Sequence, residues 1–175
     1  HPHSFVDDPT RMFRAVRYGK RFGFRFHPDT ERALFDESAR KVLAQLSGER
    51  LRHEFDLILA EETPSLGLVG VTEETGLAGV IHPALAKGRA AALLHVQLPT
   101  GEFGELAAPD ILSLRQMLGW CLYLLPLNPS EVESVAARLA FPTLLTEAAR
   151  GASALFADLP SFTGWKPSQW TFHLD

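Results

Sequence analysis

Helix start and stop signals recur along this sequence, and they constrain its fold more than any other feature. A capping residue precedes a proline at Asp8-Pro9 and again at Asn128-Pro129, an arrangement typical of helix N-termini. Gly23 and Gly76 each follow a helical pattern that a glycine can end. No run of residues alternates between apolar and polar at the period of two expected of a half-buried strand. The sequence therefore predicts an all-α protein, an irregular helical bundle.

The apolar positions divide the chain into a series of predicted helices. After a first helix ending before Gly23, a second is expected over 29–46 with Asp29 as its cap, and a third after a cap at Ser47. The segment 110–125 is apolar on nearly all sides and is expected to lie at the centre of the core. The remaining predicted helices are 66–75, 77–81, 84–96, 131–141, one from 142 towards 156, and a last one beginning at 166–168.

Composition excludes several classes of protein. The 175 residues are 46% hydrophobic and 22% charged, which suits a globular chain with a core of its own. The single cysteine, Cys121, excludes an internal disulfide framework and suggests a reducing compartment. The longest apolar run, 117–127, is shorter than the ~20 residues that span a membrane, and no secretory leader opens the chain. We therefore expect a cytoplasmic protein with no membrane partner.

Positive charge is concentrated near the start of an otherwise acidic chain. The formal net charge is −4, yet six basic residues and no acid lie between Pro9 and Pro28. On a helical wheel, four of the arginines form a stripe roughly 120° wide. Two interpretations stay open: an anionic partner such as RNA, or a solvated or salt-bridged face with Glu49 and Glu54 as partners. The four arginines of the stripe are Arg11, Arg14, Arg17 and Arg21.

Few residues suggest catalysis or metal binding. The sequence has no phosphate-binding glycine loop, no dinucleotide fingerprint, no zinc-protease motif and no nucleophile elbow. His1 and His3 beside Asp7 and Asp8 are interpreted as a solvated chain start, so no metal site is predicted. His82 is interpreted as a helix-end residue and Cys121 as a small buried apolar residue.

Three motifs resemble one known family. Residues 4–18 read SFVDDPTRMFRAVRY, residues 46–54 read LSGERLRHE, and residues 73–85 read EETGLAGVIHPAL. In this order and at this spacing they are similar to the conserved blocks of class II tRNA nucleotidyltransferases and bacterial poly(A) polymerases. The resemblance covers residues 4–85 and implies a neck domain over 1–62 followed by a helical body domain over 63–175.

The resemblance also implies what this stretch lacks. The family's catalytic head, with its glycine-rich loop and D-x-D metal pair, precedes these motifs, and the sequence contains neither. We expect this chain alone to hold no cofactor and to be inactive. The full-length enzyme is expected to use Mg²⁺ with CTP or ATP and to add C and/or A to the 3′ end of tRNA or another RNA. Two alternatives stay open: a poly(A) polymerase, and a stand-alone helical RNA-binding or interaction module. The oligomeric state is left open as well.

The resemblance assigns roles to residues of the neck. Asp8 and Arg11 match the acid and the arginine that recognise the nucleotide base, and Asp7 matches the acid that orients Arg11. Cytosine and adenine both present a donor beside an acceptor, so a carboxylate and a guanidinium suit both bases. Phosphate or RNA contacts are expected from Arg14, Arg17 and Arg21. A structural role, linking the neck helices, is expected of Ser47, Glu49, Arg50 and Glu54.

Overall fold

The computed structural model describes residues 4–90, 96, 98 and 112–166, and these residues form a helical bundle. Helices α1 to α5 are Ser4–Asp7, Thr10–Phe22, Pro28–Leu34, Glu37–Gln45 and Gly48–Leu59. Helix α6, Pro64–Val69, continues into a π-helical turn, Gly70–Glu74, and α7 spans Leu77–Ile81 before a 3₁₀ turn, Pro83–Lys87. Helices α8 to α10 are Leu114–Leu124, Pro129–Arg138 and Thr143–Asp158, followed by a 3₁₀ turn, Leu159–Phe162. No strand occurs in these residues, which confirms the all-α prediction.

Aromatic side chains from three helices meet at the centre of the bundle. The Phe55 ring of α5 lies 5.2 Å from the Phe13 ring of α2 and 5.2 Å from the Trp120 ring of α8, measured between centroids. Tyr123, one turn along α8, is also fully buried. Helix α8 thus supplies the core as predicted for its region, although Leu118 on its other face is 38% exposed. Residues 110 and 111 of that prediction lie outside the described residues.

A buried polar network connects α5 to α8. The Trp120 indole Nε1 donates a hydrogen bond of 2.8 Å to Asp56 Oδ1, and Gln116 Nε2 donates one of 3.0 Å to the Asp56 carbonyl. Arg52 Nε lies 3.7 Å from Asp56 Oδ2. Burial raises the pKa of Asp56 above its usual range, although the Trp120 hydrogen bond and the Arg52 charge act in the opposite direction.

Two arginines of the later helices bind the C-terminal carbonyls of the earlier ones. The Arg115 guanidinium donates to the carbonyls of Leu59 and Glu61 at the end of α5, at 3.3 and 2.6 Å. Arg138 donates to the carbonyls of Ala44 and Leu46 at the end of α4, at 2.7 and 3.1 Å. A cation at a helix C-terminus satisfies carbonyls that have no partner within the helix. One hydrophobic cluster contains core residues from both sides of the predicted 62/63 boundary, and the two-domain division stays a prediction.

Most helix boundaries lie where the sequence placed them. Gly23 and Gly76 have φ of 66° and 67°, in the left-handed region, and Asn128 forms a capping box with Glu131. Helix α10 begins after Pro142. Every helix in the described part of the chain is too short or too polar to span a membrane.

Several local predictions differ from the structure. Pro9, rather than Asp8, is the N-cap residue of α2, which begins at Thr10. The helix expected over 29–46 is two helices, because Asp36 takes an extended conformation and accepts a hydrogen bond of 2.8 Å from the Ala39 amide as the cap of α4. Helix α3 is capped by His27 rather than Asp29, since Pro28 occupies the first helical position. Where a helix was expected over 84–96, the described residues contain only the end of a 3₁₀ turn, which stops at Lys87. Residues 91–95 and the last predicted helix from 167 lie outside the described residues.

Candidate nucleic-acid interface

The junction between α1 and α2 fixes Asp8. Oxygen Oδ1 of Asp8 accepts hydrogen bonds from the Thr10 hydroxyl at 2.6 Å and from the Thr10 amide at 3.3 Å, so Asp8 binds a backbone N–H in the first turn of α2. The Thr10 hydroxyl is the main reason why the pKa of Asp8 lies below its usual value, and the nearby charges of Arg14 and Arg11 lower it further. Asp8 is therefore a fixed, ionised carboxylate at neutral pH.

The structure brings Asp8 and Arg11 together at the surface. Oxygen Oδ2 of Asp8 lies 3.6 Å from Arg11 Nε, and the two side chains are 26% and 49% exposed. Arg11 Nη1 donates a hydrogen bond of 2.9 Å to Ser4 Oγ, which fixes the guanidinium from the other side. Asp7, expected to orient Arg11, is exposed and makes no ion pair with a described residue. Among the described residues it is Ser4, rather than Asp7, that holds Arg11.

The pair leaves an acceptor and a donor beside each other. Oxygen Oδ2 of Asp8 receives no hydrogen bond from a described residue, since its distance to Arg11 Nε exceeds that of a hydrogen bond. Arg11 Nη2 likewise has no partner among the described residues. A carboxylate oxygen next to a guanidinium N–H can accept from one atom of a planar base edge and donate to the neighbouring atom.

The other arginines of the stripe face acids of the protein. Arg14 Nε lies 3.4 Å from Oε1 of the buried Glu54, and Arg17 Nη1 lies 2.7 Å from Oε1 of Glu61. Arg21 Nη1 lies 3.5 Å from the other Glu61 oxygen. In the folded chain these three side chains therefore form salt bridges, as the second interpretation expected. Their partners are Glu54 and Glu61, not Glu49. Glu61 follows Glu54 by seven residues, about two helical turns, a spacing that could have identified it from the sequence.

The block from Ser47 to Glu54 contacts the junction through two of its four predicted residues. Arg50 Nη2 lies 3.6 Å from Asp8 Oδ1, and Glu54 contacts Arg14 while its buried Oε2 has no hydrogen-bond partner among the described residues. Ser47 occupies the N-cap position of α5, but its side chain accepts no capping hydrogen bond. Glu49 is exposed and makes no ion pair with a described residue. The structure therefore connects Arg50 and Glu54 to α2, but neither Ser47 nor Glu49.

Comparison with known proteins places this geometry in context. Residues 23–88 match a family model described as the probable RNA- and SrmB-binding site of polymerase A. The chain is 40% identical over 85 residues to the A-adding tRNA nucleotidyltransferase of Geobacter sulfurreducens, an alignment covering 49% of this chain and 10% of that protein. It is 33% identical over 118 residues to the CCA-adding enzyme of Lactiplantibacillus plantarum, covering 67% of this chain and 27% of that protein. No solved structure matches.

These matches point to one family. They support a neck and body region of the tRNA nucleotidyltransferase and poly(A) polymerase family. It spans well under a third of the relatives that it matches, between 10% and 27% of the two described above. Within this nucleotidyltransferase region, the family model covers the block from Ser47 to Glu54 and begins after Asp8, Arg11 and the rest of the stripe.

His82 and Cys121, interpreted from the sequence as structural residues, have surroundings that fit this interpretation. His82 accepts a hydrogen bond of 3.2 Å from the Ala84 amide, contacts Ser134 Oγ at 2.9 Å, and has its pKa lowered by burial. Burial raises the pKa of the Cys121 thiol to about 11, so the thiol stays protonated at neutral pH. No group of three His, Cys, Asp or Glu residues in the described part of the chain is placed to hold a metal ion, and His1 and His3 lie outside that part.

Proposed function

We propose that this region selects the nucleotide and contacts the RNA in an enzyme that adds C and/or A to RNA 3′ ends without a template. The tRNA CCA end is the first candidate substrate, and poly(A) addition belongs to the same proposal. The observation that carries it is the Asp8–Arg11 pair, in which a fixed, ionised carboxylate adjoins a half-exposed guanidinium. Because tRNA processing takes place where the RNA is made and used, we expect the parent protein in the cytoplasm.

Base selection follows from the chemistry of the pair. Cytosine presents an N4 donor beside the N3 acceptor, and adenine presents an N6 donor beside the N1 acceptor. Asp8 Oδ2 would accept from the exocyclic amine, and Arg11 would donate to the ring nitrogen. Uracil and guanine present the opposite edge, which sets an acceptor against the carboxylate. Each good base contact is worth about 1–3 kcal/mol of discrimination.

RNA contact is proposed for the arginine stripe beside this pair. Arg14 and Arg21 are 49% and 53% exposed despite their ion pairs, so both guanidiniums are accessible to a phosphate. Arg17, at 11% exposed, lies largely beneath the surface beside Glu61. Phosphate neutralisation by such side chains gives binding that weakens with salt.

The chemical step is not assigned to these residues. Nucleotidyl transfer from CTP or ATP is expected to use Mg²⁺, and the described residues contain no cluster of three metal-binding side chains. We therefore propose that the metal and the reacting phosphates are held by a catalytic head in the longer protein.

The test compares nucleotide incorporation by the full-length parent protein and its variants on tRNA. Arg11→Ala should reduce CTP and ATP incorporation by about 5- to 100-fold, and Asp8→Ala should do the same while relaxing the exclusion of UTP and GTP. Arg32→Ala is the matched control, because Arg32 and Asp29 form an exposed pair with the same three-residue spacing. Wild-type rates and selectivity in folded Arg11→Ala and Asp8→Ala proteins would show that the pair does not select the base.

A further inference from the structure

Three aromatic rings form an exposed ladder at the C-terminal end of α2. The Tyr18 and Phe22 ring centroids are 6.2 Å apart with an interplanar angle of 26°, and those of Phe22 and Phe24 are 5.4 Å apart at 28°. The three residues are 43%, 54% and 67% exposed, in that order along the chain. We infer that this aromatic ladder (Tyr18, Phe22 and Phe24) is a stacking platform for the unpaired bases of single-stranded RNA.

The backbone builds the ladder from a helix and the turn that ends it. Tyr18 and Phe22 are four residues apart on α2 and therefore lie on one face of the helix. Gly23, with φ of 66°, reverses the chain, and the Phe24 amide donates a hydrogen bond of 2.9 Å to the Gly19 carbonyl. This turn lays the third ring against the second. Phe24 is both the last ring of the ladder and its most exposed one.

The fold itself does not require an aromatic residue at position 24. A hydrophobic contact often seals such a helix end, and here Phe26 supplies it by packing against Gly19 and the core. Phe24 stays two-thirds exposed beside a cavity of about 510 Å³, whose charged lining residues are Lys20, Arg25, Glu31 and Glu74. Its apolar surface is thus available for a ligand.

The cations around the rings favour RNA over an apolar protein surface. The Arg17 guanidinium carbon lies 4.5 Å from the Tyr18 ring centroid, and that of Arg21 lies 5.2 Å from the Phe22 centroid. Arg25, next to Phe24, is exposed and has no ion pair with a described residue. An apolar partner would have to desolvate Arg21 and Arg25, whereas a nucleotide offers a π-face to the rings and a phosphate to the guanidiniums.

This inference rests on the proposed function, because it assigns part of the RNA contact to named rings. Stacking on aromatic side chains is tolerant of sequence, since every base has a π-face. It also requires unpaired bases, which distinguishes it from phosphate contact by the arginine stripe. Tyr18, the first ring of the ladder, lies about three helical turns beyond Asp8, so the ladder would hold RNA away from the base being selected.

The test is a fluorescence anisotropy titration of this chain with a labelled oligoadenylate of roughly 12 nucleotides, single-stranded or paired with its complement. Phe24→Ala should weaken single-strand binding by about 5- to 100-fold without changing the salt dependence, and Phe24→Trp should restore it. Duplex binding should not change. Phe35→Ala is the matched control: Phe35 is 53% exposed with the Arg40 guanidinium over its ring, but it belongs to no ladder.

The possible outcomes separate the ladder from the proposed function. If wild-type chain binds the RNA with salt sensitivity and Phe24→Ala binds equally well, the ladder inference is wrong while RNA binding by the region stands. An equal loss of single-strand binding in Phe24→Ala and Phe35→Ala would also contradict the inference, because an exposed ring outside the ladder would then bind RNA equally well. If folded wild-type chain binds neither RNA form even at low salt, the ladder inference and the proposed RNA contact both fail.

Discussion

The hydroxyl of Thr10 donates a hydrogen bond of 2.6 Å to Oδ1 of Asp8, and this contact holds the carboxylate at the start of α2. Thr10 is buried, at 3% exposed, so its hydroxyl has little alternative access to water. The hydrogen bond therefore determines where the second carboxylate oxygen lies relative to Arg11. It also connects the stability of this helix end to the ionisation of Asp8.

Thr10→Val should lower the free energy of unfolding by about 1 kcal/mol at neutral pH, because a hydrogen bond to an ionised carboxylate is lost without a change in shape. The pKa of Asp8 is lowered in the folded state, so this contribution is present above the ordinary pKa of about 3.9 and is lost as pH falls through the folded value. Urea unfolding at neutral and acidic pH measures both effects. Thr30→Val, at a threonine with no such hydrogen bond to a described residue, is the control, and a difference that grows towards acidic pH would contradict the prediction.

Asp56→Asn tests the buried network, and its effect on stability should depend on pH in the direction opposite to that of Thr10→Val. Burial raises the pKa of Asp56, so the folded state binds its proton more tightly than the unfolded chain. The contribution of Asp56 to stability therefore falls as pH rises from about 3.9 through the folded value. Asparagine can still accept the Trp120 hydrogen bond. Measured by urea unfolding, the stability of Asp56→Asn relative to wild type should improve from about pH 4 towards neutrality; a decline would show that the Arg52 charge outweighs burial.

Arg14→Ala and Arg17→Ala should separate RNA binding from folding. Arg14 is half-exposed, so its loss should weaken binding of tRNA and reduce its salt dependence; it should also reduce stability, because the buried Glu54 loses its cation. Arg17 is 11% exposed and bound to Glu61, so its loss should mainly reduce stability. Anisotropy titrations at two salt concentrations and urea unfolding provide the two measurements. Arg150→Ala, on the exposed side of α10, is the control. Unchanged tRNA binding in the double variant would make the stripe purely structural.

Glu61→Gln should strengthen RNA binding while weakening the fold. Glu61 is the acid that pairs with both Arg17 and Arg21, so neutralising it releases both guanidiniums from their ion pairs. We expect a gain in low-salt RNA affinity of several-fold, which salt should remove, because the added interaction is electrostatic. Glu62→Gln removes the same charge from the neighbouring exposed residue. If both variants bind RNA equally well, net charge and not the release of the two arginines explains the effect.

Local sequence signals are enough to predict most of the helices and the contacts within one helix end. Capping residues and left-handed glycines act through backbone hydrogen bonds only a few residues away, so Asn128, Gly23 and Gly76 could be interpreted without knowledge of the fold. Asp8 and Arg11 are three residues apart, and the turn that leads into α2 brings them together. The break between α3 and α4 was missed because the apolar pattern continues across it, although Asp36 is itself a good cap.

The packing of distant helices sets which partners the other charged and aromatic residues contact. Whether Arg14 meets Glu49 or Glu54 depends on which face of α5 packs against α2, and the buried Phe13–Phe55 contact fixes that face. The pairing of one acid, Glu61, with two arginines likewise depends on where α5 ends against α2. Such contacts are set by core packing between segments distant in sequence, and periodicity within one segment does not show which residues of another segment it meets.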